Sequence, residues 1–492
     1  MIGGKRENAG RKSLPENVKR KPTTIYLTDE ESAMIDKNVF GNSFSNKCLN
    51  ALKVGIEDII REKENKIRFI DLFAGLGGIR LGFEQGLKSK GYDSNCVFSS
   101  EIKKHAISAY KNYFGNEDIS GDVTKIPANE IPDFDFLLAG FPCQPFSSAG
   151  KQLGFKDTRG TLFFEIERIL KEKRPSGFIL ENVEGLTTHD KGNTFKTMVH
   201  SLEELGYTLS YKVLDSQNFG VAQSRKRIYI VGLKNTLINM ENFKEKHISF
   251  GKIQENNKPI VESDFTKKLL DHFAPTELYG KSIKDKRGGK SNIHSWEIGV
   301  KGDISEEQKK LLNQLLKERR KKKWAEEIGI KWMDGMPLTT DQIATFYNAD
   351  NLQDMLDDLV QKGYLNFEHP KESIDGRRVY DESKPKGYNI VTGKLSFEFS
   401  KILDPNDVTP TLVATDVEKL GVVDGDGIRK LTVREAQRLC GFPEDYSLDM
   451  ITYREAMDLL GNTVCVPVIE SISEKIGEEI DKYNSLNEFR NK

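Results

Sequence analysis

The chain has few cysteines, and they do not gather. Five occur in 492 residues, at positions 48, 96, 143, 440 and 465, each by itself. That spacing excludes a disulfide framework and a zinc ligand set, so a reducing, cytoplasmic setting is expected, with no metal. Long apolar runs are also missing; none approaches about eighteen residues, so no membrane span is expected. The basic opening, "MIGGKRENAGRKSLPENVKRK", has no apolar stretch and does not read as a secretory signal. Charge of one sign is not in excess either, because 74 Lys and Arg face 75 Asp and Glu, for a net of -1. Overall charge therefore gives no argument for a nucleic-acid partner, whereas its distribution leaves room for one. Basic residues cluster before residue 22, in "KDKRGGK" (284–290) and in "KERRKKKW" (317–324). Each cluster alone fits a solvated helix face at least as well. Length, with 37% hydrophobic and 30% charged residues, implies a soluble protein of two or three compact units.

What is present starts with a short alternating stretch, "KPTTIYLTDEE". It places Ile25 and Leu27 on one face of a strand and Thr24 and Tyr26 on the other. Thr28 and Glu31 form a capping-box pattern that starts a helix, and "GNSFSNK" ends it. Leu49, Leu52, Ile56 and Ile59 stripe a second helix. Strand, helix, helix in about forty residues cannot bury its own core well. Residues 1–62 resemble a ribbon-helix-helix DNA-binding unit, in which two chains pair their strands and Thr24 and Tyr26 would face bases. A small helical hairpin packed on the main domain is the competing reading.

From residue 66 the rhythm changes to alternating strands and helices: "KIRFIDLF", "IRLGFEQGLKS", "SNCVFSSE", "KKHAISAYKNYF", "FDFLLAGFP", "TLFFEIERILKEK", "SGFILENV" and "RIYIVGL". That alternation predicts an α/β fold with a doubly wound, Rossmann-like sheet, whose ligands gather at the carboxyl ends of the strands. Asp71, Glu101, Asp122, Cys143 and Glu181 all fall there. The turn "DLFAGLGG" lacks the spacing of a dinucleotide fingerprint and the lysine of a phosphate loop. Glu101 is placed to accept from ribose hydroxyls and Asp122 from an adenine amino group, and Phe73 offers a ring for stacking. Together they point to a nucleoside cofactor without a pyrophosphate, such as S-adenosyl-L-methionine. After about residue 234 the alternation is lost until "RKLTVREAQRLCGFP" opens a closing piece. Within that gap, 338–381 reads as two helices and a basic-tipped hairpin, an order that suits a winged-helix element.

Cys143 stands between Pro142 and Pro145 in "GFPCQPFS". The prolines restrict the backbone on both sides, so the thiol is presented in one direction. A thiolate is the best protein nucleophile toward an electron-poor unsaturated carbon. Taken with "FIDLFAGLGGIRLGFE", "ENVEGL", "QSRKRIYIVG", "RKLTVREAQRLCGFP" and "GNTVCVPV", this segment resembles the ordered motif series of the DNA cytosine-5 methyltransferases, of the bacterial restriction-modification type. The match is close over 66–234 and about 425–478, around a long variable stretch.

That resemblance implies a smaller, mixed target-recognition domain beside the sheet, and methyl transfer from S-adenosyl-L-methionine to carbon 5 of a cytosine flipped out of double-stranded DNA. It implies Cys143 as the nucleophile at carbon 6, Glu181 at ring N3, and Arg225 and Arg227 at the base carbonyl and neighbouring groups. It assigns the cofactor to Phe73, Gly75, Gly77, Glu101, Asp122, Pro142, Leu162 and Asn462. Ile102 stands where relatives often carry an aromatic, Ala149 where some carry serine, and no glutamine precedes Gly461. The implied organisation is a DNA-binding extension (1–62), a catalytic and cofactor domain (66–236), a target-recognition region (240–425) and a closing segment (426–492). Within the recognition region, "KDKRGGKSNIHSWEI" and "KERRKKKW" offer Arg, Lys, Asn and Trp to grooves and phosphates. A homodimer through the N-terminal unit, which would let the protein repress its own promoter, is a further expectation. A cognate restriction endonuclease would share the target without needing to bind. The rival readings are a tRNA cytosine-5 methyltransferase and a protein that is mainly a transcriptional regulator.

Overall fold

Thr28 starts the first helix, α1 (Asp29–Asn38): its Oγ1 accepts from Glu31 N at 3.2 Å, and its own N–H donates to Glu31 Oε2 at 2.8 Å. The capping box expected from the sequence is formed. The structure, a computed structural model, describes residues 27–39, 43–45, 47–52, 66–115, 118–142, 162–234, 236–285, 289, 291–333, 335–374, 377–392 and 397–490. Thr24, Ile25, Tyr26, Ile56, Ile59, Cys143 and Ala149 lie outside them. Residues 44–45 and 47–52 are helical, and Lys47 Nζ reaches Asp36 Oδ1 at 2.7 Å. Met34, Phe44 and Leu52 are exposed in this unit, which extends to Lys66; residues 67–492 form the second unit.

In that second unit, short apolar runs become strands and amphipathic stretches become the helices between them. The order is β1 (Lys66–Leu72), α2 (Gly78–Ser89), β2 (Asp93–Ser100), α3 (Lys104–Phe114), β3 (Ile119–Ser120), β4 (Phe136–Gly140), α4 (Leu162–Lys173), β5 (Gly177–Val183), α5 (Asn193–Glu204), β6 (Thr208–Asp215) and β7 (Lys226–Leu233). They form one seven-stranded sheet, β3-β2-β1-β4-β5-β7-β6, in which β2–β3, β1–β4 and β4–β5 pair in parallel and β7 runs against both β5 and β6. Side chains alternate across it as a strand requires. Phe69 and Leu138 join the core shared with α2 and the last helix, while Ile70, Leu137 and Ala139 join the core under α4 and α5. Helices on both faces of a mostly parallel sheet make the doubly wound α/β fold that the alternation predicts. The pattern gives no notice of α5 or β6; β6 is a half-exposed edge strand whose apolar residues are interleaved with polar ones.

Beyond β7 come α6 (Asp264–His272), β8 (Ser282–Ile283), β9 (Asn292–Ile293), α7 (Glu306–Glu318), α8 (Lys322–Ile328), α9 (Thr340–Ala344) and α10 (Leu352–Gln361). Then follow β10 (Leu365–Glu368), β11 (Lys371–Ile374), β12 (Arg377–Tyr380), β13 (Gly387–Ile390), β14 (Lys401–Ile402), β15 (Leu420–Asp424) and β16 (Gly427–Lys430). Two separate cores hold this region. One surrounds Trp296, Leu312, Trp324 and Leu356; the other, around Ile283, Phe399 and Ile402, lies with the sheet β16-β15-β14-β8-β9. Both tryptophans offered above as groove contacts are therefore core residues. Their indole N–H groups are satisfied inside, Trp296 by Asn313 Oδ1 at 3.2 Å and Trp324 by Glu318 O at 2.9 Å, as buried indoles require.

The chain closes through α11 (Val433–Cys440), α12 (Tyr453–Asn462) and α13 (Val466–Arg490). α13 lies directly on α2, because Gly82 and Gly86 expose bare backbone to it. A Cβ on Gly86 would stand 2.4 Å from Glu470 O. No described helix is long and apolar enough to cross a membrane.

Candidate active site

The turn after β1 takes three left-handed residues, Phe73 (φ 55°), Gly75 (φ 54°) and Gly77 (φ 71°). Phe73 is the one with a side chain, and it adopts a conformation that costs of order 1 kcal/mol, so the surrounding structure must hold it there. Part of that hold is Glu101. Its Oε2 accepts from Gly75 N at 2.8 Å, and its Oε1 from Ile102 N at 2.7 Å and Lys103 N at 2.9 Å. A carboxylate has about four acceptor positions, so one remains for a ligand. Gly77 is closely packed: a Cβ there would fall 2.4 Å from the Phe114 ring. Beneath the turn, Asp71 is fully buried, and Tyr110 donates to its Oδ2 at 3.3 Å while Arg80 donates to Tyr110 at 3.0 Å. Burial pushes the Asp71 carboxyl up to about 7, against the pull of Arg80.

Above the turn opens a cavity of about 740 Å³ at the carboxyl ends of the strands, within the usual size of small-molecule sites. Phe73, Gly75, Glu101, Asp122, Pro142, Leu162, Glu181, Arg225, Arg227 and Asn462 all line it. Among the described site residues, only Gly77 does not. Asp122 accepts from Thr124 N at 3.1 Å and Thr124 Oγ1 at 2.7 Å, which holds its carboxyl below the usual range and leaves it an ionised acceptor. Ile102 is 70% exposed at the rim. Among the described residues no cluster of His, Cys, Asp and Glu could hold a metal ion.

The wall next to Pro142 carries the charges. Glu181 lies beside Gly140 in the β4–β5 register, and Arg227 Nε approaches its Oε1 to 3.2 Å. Burial pushes the Glu181 carboxyl up, while Arg227 and then Arg225 pull it down. A carboxyl so placed can hold a proton and donate it. Arg225 is engaged elsewhere as well: Nη1 donates to Leu412 O at 2.9 Å and to Gly461 O at 3.2 Å. It thereby joins the end of β6–β7 to two distant segments.

Three further residues hold this wall, and their types alone gave no signal. Asn182 donates to Phe141 O at 2.9 Å and accepts from Val183 N at 2.8 Å, so it fixes the main chain entering "PCQPF". Gln223 is fully buried, donating to Leu439 O at 2.8 Å and accepting from Leu412 N at 2.9 Å. Asp215 accepts from Arg225 N at 2.9 Å. For Asn182 and Gln223 the one sequence cue was position, beside Glu181 and Arg225 in the same short motifs; Asp215 lies outside them.

A profile described as C-5 cytosine-specific DNA methylase matches residues 67–478. The chain is 57% identical over 418 residues to the type II methyltransferase M.NlaIV of Neisseria lactamica, covering 84% of this chain and 99% of that one. It is 56% identical, with the same coverage, to the type II methyltransferase M.NgoBV of Neisseria gonorrhoeae. It is 44% identical over 435 residues to the type II methyltransferase M.HgiCI of Herpetosiphon aurantiacus, covering 82% and 96%.

Proposed function

Because the chain belongs to the C-5 cytosine-specific DNA methylase family, we propose that it methylates carbon 5 of a cytosine flipped out of double-stranded DNA, using S-adenosyl-L-methionine, within a restriction-modification system. The observation that carries this reading is a single cavity holding both a nucleoside shelf and a buried acid. Glu101, Asp122 and the bent turn at Phe73 form the shelf, and Glu181 with Arg227 forms the acid wall beside Pro142.

The residues fit the cofactor. Glu101 keeps an acceptor position for ribose hydroxyls, ionised Asp122 suits an adenine amino group, and Phe73 lines the same space. When bound, S-adenosyl-L-methionine supplies an electrophilic methyl group. Carbon 5 of cytosine is too weak a nucleophile to take it unaided, and here the chain's own residues act. The Cys143 thiolate adds to carbon 6, which makes carbon 5 an enamine carbon. Glu181, its carboxyl raised by burial, donates to ring N3 so that negative charge does not accumulate on the ring. Arg227 holds Glu181 and the base carbonyl. Arg225 braces this wall through Leu412 and Gly461 and, on this reading, also stands near the base. After methylation water takes the proton from carbon 5, the double bond between carbons 5 and 6 re-forms as the thiolate leaves carbon 6, and the N3 proton returns to Glu181.

The partner is double-stranded DNA, gripped through the region between β7 and α11. Helix α10 is a poor candidate for a groove, since it carries Asp354, Asp357 and Asp358; like charges would face the phosphates. The exposed Met34, Phe44 and Leu52 support a second copy pairing through the N-terminal unit. A cognate endonuclease would read the same site independently.

The test is methyl transfer to duplex DNA and to tRNA, read by bisulfite sequencing. The wild-type chain is expected to modify cytosine at one duplex site, and Cys143→Ser to lose at least about a thousandfold in turnover. Retained turnover in Cys143→Ser would overturn the covalent route, and modification of tRNA alone would overturn the DNA reading.

A further inference from the structure

Two charged side chains, Lys103 in the cavity wall and Asp458 behind it, have no part in the chemistry above. Lys103 follows Glu101 and Ile102 along one wall, and its ammonium lies 2.8 Å from Asp458 Oδ2. Asp458 belongs to α12, which forms another wall through Leu459 and Asn462. One turn along, Asn462 Nδ2 donates to Asp458 O at 2.9 Å and to Asp458 Oδ1 at 3.3 Å. His105, on α3, brings Nε2 to 3.6 Å from the same Asp458 Oδ2, and this buried ring nitrogen has no hydrogen-bond partner. The main-chain N–H of Lys103 ends on Glu101 Oε1 at 2.9 Å. Polar contacts therefore run unbroken from Glu101 through Lys103 and Asp458 to Asn462.

The Asp458 carboxylate, at 3.3 Å, adds to its main-chain carbonyl, at 2.9 Å, in setting which atom Asn462 offers. A side-chain amide can present either its oxygen or its NH₂ group, and the hydrogen-bond network sets the choice. With Nδ2 taken by Asp458, the oxygen is the atom left for the cavity, where it can accept from a hydroxyl or an amino group. The ion pair also joins two walls at the place where exposed Ile102 supplies no firm cover.

We propose that Asp458, braced by Lys103, is a positioning residue for the cofactor: it turns the Asn462 amide and ties that wall to the Glu101 shelf. The proposal rests on the cavity being the cofactor site. An exposed ion pair that merely staples α12 to α3 would affect melting and leave cofactor affinity alone, which gives the test its discriminating power.

The experiment is calorimetric titration of the full chain with S-adenosyl-L-methionine and with S-adenosyl-L-homocysteine, alongside KM and kcat for methyl transfer. Asp458→Ala and Lys103→Met are each expected to weaken binding roughly fivefold, raising KM in step while kcat changes less than about twofold. The double variant should be no worse than either single, whereas Lys103→Glu with Asp458→Lys should restore the ion pair and its contribution to melting but not the affinity, because a lysine cannot accept from Asn462 Nδ2. The wild-type advantage should shrink in 1 M salt, because the pair is partly exposed. Unchanged affinity in both single variants, or losses that simply multiply, would overturn the proposal. A wild-type chain that binds neither ligand would instead remove the cofactor reading beneath it. If Asp458→Ala melts early, Lys103→Met decides alone, since its side chain is half in solvent.

Discussion

Asp71 ends β1 beneath the cavity, fully buried, with Tyr110 its hydrogen-bond donor and Arg80 the cation nearest in effect. Its native pKa of about 7 stands above the ordinary 3.8, and the direction fixes the pH dependence. Below the ordinary value, folded and unfolded chains both keep the proton, and Asp71 costs nothing. As pH rises toward 7 the unfolded chain ionises first, so the fold loses ground until the native carboxyl also titrates. Asp71→Asn should therefore melt above wild type at pH 8, by about 5 °C, with the gap narrowing steadily toward pH 5. A gap independent of pH would show that burial of this carboxyl is not its cause. Glu181 shares the raised direction but has Arg227 at 3.2 Å, which keeps a proton there available without forcing the group to stay neutral. Sequence position marked both carboxyls as strand-end residues. It could not tell that one faces a cation directly and the other reaches its cation through a tyrosine.

Helices α2 and α13 show how elements carry information that single residues do not. "GFEQG" reads as an ordinary amphipathic segment, yet Gly82 and Gly86 stand one turn apart where α13 crosses, with no room for side chains. Gly86→Val should lower stability by roughly 2 kcal/mol or more, seen as a lower denaturation midpoint, because a new Cβ would meet Glu470 O and Ser473. An unchanged midpoint would mean that α13 can shift at no cost. The long strands were legible because short, nearly continuous apolar runs, buried on both faces, are a local signal. β6, at the sheet edge, was not, because too little of it is buried to mark the sequence. The same reasoning explains Trp296 and Trp324. Trp324 beside lysines and Trp296 six residues after one look like nucleic-acid contacts, and only packing shows them to be core.

On the scale of the whole molecule, the N-terminal residues form a unit distinct from the enzyme. Removing residues 1–62 should leave methyl transfer within about twofold of the full chain and abolish promoter binding in a gel-shift assay. Lost transfer in a truncated chain that still folds would sink the idea of an independent module. Near-zero net charge concealed any nucleic-acid preference in the total; the ordered motifs, the local basic clusters and the ribbon-like opening pointed to DNA. By itself the sequence determined the alternation of strands and helices, the carboxyls at strand ends, and the cysteine held between prolines. These are local properties, set by side-chain period and by proline's fixed backbone angle. The tertiary structure alone decided that Arg225 would rest on carbonyls 187 and 236 residues away. It alone decided that Lys103 would meet Asp458, 355 residues on, and that Glu181 would be buried beside a cation. Burial and proximity arise from contacts between segments far apart in the chain, and no local pattern encodes those.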